Sequence, residues 1–188
     1  MIPLLQLWLP ILTGAVGAFI ASSILHMVLQ GWHRPDYHGF SNEDEVRAAM
    51  RKGSPVPGMY MIPWCPPEKM KDPATLAKFT EGPVAFAILR PNGMFNMGKS
   101  LGMWFGFCLL VAIFANYIGG STLADGTESM QVFRVTAVAA FMGFGLGALP
   151  NCIWWGEPLR ATAKDLIDGA VYALIVGAMA TWLWPHAA

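Results

Sequence analysis

LLQLWLPILTGAVGAFIASSILHMVL, running from Leu4 to Leu29, is the stretch whose reading decides the fold. It is apolar apart from Gln6, Thr13, Ser22, Ser23 and His26. At about 1.5 Å of rise per residue it exceeds the roughly 20 residues needed to cross a bilayer. No basic segment precedes it, and it is too long for a signal-peptide core and lacks a cleavage site, so it reads as a retained span. Pro10 is placed to kink its start, and Gly14 and Gly17 leave room for a neighbouring helix.

Three more apolar runs follow: Ser100 to Ile118, about Val135 to Trp155, and Leu166 to Trp184. Each is long enough to cross once, although Arg134 marks the start of the third and Pro150 and Asn151 interrupt its end. Composition agrees. Of 188 residues, 55% are hydrophobic and 13% charged, against about 25% charged in an ordinary soluble domain. The fold class expected is an all-α integral membrane protein, with four transmembrane helices in a bundle and a small α+β cytoplasmic insertion between helices 1 and 2. The expected organisation is helix 1 over 1–30, the cap insertion over 31–98, helix 2 over 99–119 and a short outer loop over 120–133. Helix 3 follows over 134–155, a cytoplasmic loop over 156–164, and helix 4 with a short tail over 165–188.

Formal net charge is zero, so no basic footprint for nucleic acid exists. The basic residues are nonetheless unevenly placed. Arg34, Arg47, Arg51, Lys52, Lys69, Lys71, Lys78, Arg90 and Lys99 fall in the first connection, and Arg160 and Lys164 in the third. Only Arg134 borders the second. The positive-inside rule then puts the first and third connections in the cytoplasm and both termini outside, as in a multi-pass protein of a bacterial inner membrane. Cys65, Cys108 and Cys152 are odd in number, widely spaced and without zinc-type spacing, which excludes a disulfide framework.

The insertion carries bounded elements. Ser41-Asn42-Glu43-Asp44 reads as a helix cap with acids in the first turn, and Arg51-Lys52-Gly53 as its stop. Asp72-Pro73 opens a second helix that Gly82-Pro83 ends near Glu81. Met59 to Ile62 and Val84 to Leu89 read as strands that pair with each other.

Small residues recur at four-residue spacing. Gly98, Gly102 and Gly106 do so at the entrance to helix 2, Ala139, Gly143 and Gly147 in helix 3, and Gly169, Ala173 and Gly177 in helix 4. Such stripes let helix backbones approach closely in lipid. They pack one bundle or join subunits, and the first is the more economical reading.

Polar residues inside spans are costly and mark candidate sites. In the orientation above, His26, Lys99, Asn151 and Asp168 reach one depth near the cytoplasmic end of the bundle, one from each helix, with Trp32, Trp154 and Trp155 nearby. The competing explanation gives each a local role: Asp168 at a helix N-terminus, Lys99 snorkelling, His26 bonded to a backbone carbonyl. A weaker pattern, His33, Asp36 and His38, offers imidazoles and a carboxylate that suit zinc or iron, but its spacing matches no ligand motif. A Trp-His-Arg headgroup anchor explains the same residues. Cys65 has no activating partner, and Gly98-Lys99-Ser100 lacks the upstream glycine of a phosphate loop.

No HExxH, GxSxG, GxGxxG or Glu-x-x-His arrangement occurs, and no cofactor is implied. The chain is therefore expected to be a non-catalytic multi-pass membrane protein whose partners are the lipid bilayer and either further copies of itself or a larger membrane complex. A small channel or transporter for protons, ions or a small solute is the alternative, and a membrane enzyme with its site at the cytoplasmic face ranks last.

Overall fold

In the computed structural model, which describes residues 1–185, most of the chain is helical and four stretches are long and apolar enough to cross a membrane: Leu4–Val28, Met97–Thr122, Ser129–Trp155 and Leu159–Trp182. The end of the tail expected after helix 4, residues 186–188, lies outside the described residues.

Helix α1, Trp8–Ser23, takes Pro10 in its first turn, where a missing N–H costs no intrahelical bond. It runs into a π-helical turn, Ile24–Val28, in which the Leu29 N–H reaches back five residues to the Ile24 carbonyl at 2.9 Å. A short helix α2, Gln30–His33, and a 3₁₀ turn, Arg34–Asp36, continue the chain.

Two helices and two strands belong to a separate compact unit formed by residues 38–95 with Trp154–Gly156. There α3, Glu43–Lys52, has three acids in its first turn and two bases in its last, matching the helix dipole at both ends. Strand β1, Gly58–Ile62, pairs antiparallel with β2, Ala85–Leu89, in a register that sets Tyr60 opposite Ala87. Between them α4, Pro73–Glu81, is capped by Asp72, whose carboxylate accepts from the Thr75 N–H at 3.0 Å, and ends at Gly82 with φ +69°.

The other unit holds the four long stretches, the third of them as far as Ile153. Helix α5, Met97–Thr122, starts under an Asn96 cap that accepts from the Lys99 N–H at 2.9 Å. The third stretch is α6, Ser129–Phe144, a 3₁₀ turn, Leu146–Ala148, and α7, Leu149–Trp155. Its interruption falls at Gly145, ahead of the Pro150-Asn151 pair that sequence alone picks out. A Cβ added to Gly169 would stand 2.6 Å from the Gly145 Cα, so the two backbones touch at this crossing. The helix yields there, and Pro150 is absorbed in the first turn of α7. Arg134 lies within α6, exposed, instead of at its start. Helix α8, Leu159–Trp182, begins at Pro158 and takes in Lys164, Asp165 and Asp168.

Around the bundle α1 lies between α5 and α8, and α6 closes the ring against both, with α5 and α8 on a diagonal. The interior is built from small side chains, Ala15, Ala18, Ala112, Ala115, Ala140, Ala173 and Ala180, filled out by Leu7, Val132, Val176 and Cys108. Small residues let the axes close in, and dispersion contacts then hold them. The glycine stripes divide. Gly143, Gly169 and Gly177 abut Val111, Gly145 and Ala137, while Gly102, Gly106 and Gly147 have nothing within 4 Å and Gly98 meets only its own Asn96 cap.

Candidate functional site

Lys164 and Asp168 stand four residues apart on α8, so they share one face a turn apart. Both are buried, in the N-terminal third of a helix that is largely apolar beyond them. A buried charge is tolerated only with a partner, and both find theirs in the segment just after α1. The Lys164 ammonium donates to the Trp32 carbonyl at 2.5 Å and to the Asp36 carboxylate at 2.6 Å, and lies 5.4 Å from the centre of the Trp32 ring. Asp168 accepts from the Trp32 indole N–H at 2.8 Å through Oδ1, and its Oδ2 lies 2.6 Å from His33 Nε2. The segment Trp32 to Asp36 is thereby clasped to α8 at two consecutive turns.

His26 completes the group. Its Nδ1 lies 3.1 Å from the Ser22 carbonyl, and a carbonyl only accepts, so Nδ1 is the donor there and Nε2 is the ring nitrogen left for other partners. That Nε2 is 3.8 Å from Asp168 Oδ2. The rings of His26 and His33 are stacked, centroids 4.3 Å apart and planes within 15°. The π turn and the bend at Leu29 bring the two histidines together, although the helix does not run straight from one to the other. Side-chain exposure falls from 49% at His26 to 15% at His33 and 4% at Asp168, so the cluster opens to the outside through His26.

Charge balance sharpens the chemistry. Lys164 and Asp36 cancel, which leaves Asp168 as one buried negative charge facing two imidazoles. A proton on His33 or a metal ion satisfies it. The Asp36 carboxyl is held below the usual aspartate range, chiefly by the hydrogen bond from Lys164, with burial acting the other way and Arg160 adding attraction.

One ligand atom each from His26, His33 and Asp168 lies within 4.8 Å of the others. Around a zinc ion such atoms stand about 2.0 to 2.2 Å from the metal. Gathering them asks for a small shift of the half-exposed His26 ring toward Asp168. The surroundings suit a metal: His26 gives its second ring nitrogen to a carbonyl, and Asp168 is steadied by an indole, the outer contacts that orient metal ligands.

No known protein family, curated protein or solved structure matches this chain. What it does must be argued from these residues.

The sequence-derived candidates are distributed as follows. His26 and Asp168 come together. Lys99 is exposed and its side chain makes no hydrogen bond or ion pair among the described residues. Asn151 lies in α7, where its backbone carbonyl accepts from the Glu157 N–H at 3.3 Å. Burial and the neighbouring Asp165 push the Glu157 carboxyl up. Of the trio His33, Asp36 and His38, the first joins Asp168 and the second Lys164, while His38 is exposed and belongs to the other unit. The Cys65 thiol donates to its neighbour's carbonyl, Pro66 O, at 3.6 Å. Sequence reading gave Lys164 only a role in orientation. The signal for it was present in two oppositely charged residues four apart in an apolar helix.

Proposed function

We propose that this chain is a multi-pass membrane protein that holds a transition-metal ion on His26, His33 and Asp168. The observation that carries the reading is the convergence of two imidazoles and a buried carboxylate from three elements, with the outer hydrogen bonds that fix the His26 tautomer and one Asp168 oxygen. Nitrogen and oxygen donors of this kind suit zinc or ferrous iron. Three protein ligands leave a further position toward the exposed His26 side. Supporting the membrane part, Leu12, Val16, Ile20, Phe114, Val138 and Leu174 face outward on the long helices, as side chains bathed in lipid do. The spread of Lys and Arg supports an inner-membrane orientation with the first and third connections in the cytoplasm.

A second reading, association with further copies or with a larger membrane complex, is favoured by one feature. Gly102 and Gly106 line a face of α5 on which, among the described residues, nothing lies within 4 Å of where their Cβ atoms would be. On this reading the bundle is an accessory unit and not a catalyst.

The full chain purified in mild detergent tests the metal site. About one zinc or iron per chain is expected by elemental analysis, and cobalt loaded into the emptied protein should give visible ligand-field absorption. His26→Ala, a change at a half-exposed position, and Asp168→Asn should both abolish that absorption. Metal-free protein that shows no cobalt spectrum sinks the reading.

A further inference from the structure

Three of the chain's six arginines, Arg47, Arg51 and Arg90, line one cavity of about 860 Å³ in the compact unit of residues 38–95, and no carboxylate lines it. We propose that this cavity binds a phosphate ester through those guanidiniums. The site belongs to a different unit from the histidine cluster, and the proposal does not depend on that cluster.

The arginines come from two directions. Arg47 and Arg51 are one turn apart on α3, and Arg90 follows directly on β2. Arginine stays protonated, so three guanidiniums around one opening repel each other until an anion enters. Their existing partners leave them available. Arg47 is 3.2 Å from Asp44, but that carboxylate is 97% exposed and the pair is weak. The Arg90 guanidinium lies over the Phe95 ring, 4.6 Å from its centre, a contact that positions it without using its N–H groups. Arg51 has no ion pair or side-chain hydrogen bond among the described residues.

The rest of the lining fits the same chemistry. The Ser54 hydroxyl and Asn92 amide supply neutral donors for phosphate oxygens. Ser54 holds φ +45°, a left-handed conformation that costs a non-glycine residue energy and that clusters at ligand sites. Met50 and Leu89 present an apolar wall for the organic part of an ester, which free phosphate lacks. The volume is that of a small-molecule site.

The ester has two sources, a soluble phosphorylated metabolite or the headgroup of an anionic phospholipid, and the arms of one experiment separate them. Full-length protein in mild detergent is titrated calorimetrically with glycerol 3-phosphate. In parallel, protein extracted from phosphatidylcholine membranes with and without phosphatidylglycerol is weighed intact by native mass spectrometry. Saturable glycerol 3-phosphate binding identifies the soluble source, and retained phosphatidylglycerol the lipid. Whichever probe binds should bind about tenfold more weakly to Arg51→Gln and to Arg90→Gln, the loss of one charge-assisted contact. Lys69→Gln/Lys71→Gln, which removes charge from the same unit outside the cavity, should leave it unchanged. Binding of neither probe, wild-type binding by both arginine variants, or an equal loss in the lysine variant overturns the proposal.

Discussion

Trp32→Phe isolates one outer contact of the site. The substitution keeps an aromatic ring and removes the indole N–H that donates to Asp168 Oδ1 at 2.8 Å. Among the described residues no other side chain donates to that oxygen. A hydrogen bond to a charged group is worth about 1.5 to 3 kcal/mol net, and more than the lower end is expected because the carboxylate is buried. The Lys164 ammonium stays paired through Asp36 and the Trp32 carbonyl, neither of which the change removes. A loss of about 2 kcal/mol in unfolding free energy should follow. A freed Asp168 carboxyl rotates, so metal affinity should drop by about 10- to 100-fold, the usual effect of losing an outer-sphere partner. Competition of cobalt-loaded protein against a chelator reads the affinity, and denaturant unfolding in detergent reads the stability. Trp32→Phe with wild-type values in both assays refutes the argument that the indole holds Asp168 in place. A stability loss with unchanged metal affinity refutes the ligand role of Asp168 alone.

Three further outcomes are expected. Gly177→Ala should cost about 1 to 3 kcal/mol, because its Cβ would stand 2.7 Å from that of Ala137, whereas Gly106→Ala, with nothing within 4 Å, should be close to neutral for the monomer when thermal unfolding is compared. Asp36 has a lowered carboxyl pKa, so its contribution is present above the unfolded value near 3.8 and is lost as pH falls through its lower folded value. Asp36→Asn should flatten that acid limb of a stability-versus-pH curve, and an unchanged limb would dismiss the Lys164 pairing as its cause. Asp72→Ala removes the cap of α4, which accepts from both the Thr75 N–H and hydroxyl, and should cost about 1 kcal/mol, read as faster hydrogen exchange over Pro73–Glu81.

Much of the fold was legible because its signals are local. Apolar runs longer than a bilayer crossing mark four helices wherever they occur, and caps such as Asp72-Pro73, stops such as Gly82 and short apolar runs bounded by proline and glycine fix the small elements between them. Helix ends near contacts were less legible: the break at Gly145 answers to a backbone from α8, which no window around Gly145 contains. The same limit governs the site. That His26 and Asp168 are unusual in their helices can be read from residue chemistry and position, because a polar group in an apolar run always needs a partner. Which partner it finds depends on residues more than 130 positions apart in the chain, as in the Trp32 and His33 contacts to Asp168. Sequence alone therefore established four apolar helices, a small mixed unit between the first two and a short roster of costly polar residues. Only the packing of α1 on α8 decided that His33 and Lys164 belong to the cluster, that Lys99 and Asn151 do not, and that one imidazole nitrogen of His26 faces a buried carboxylate.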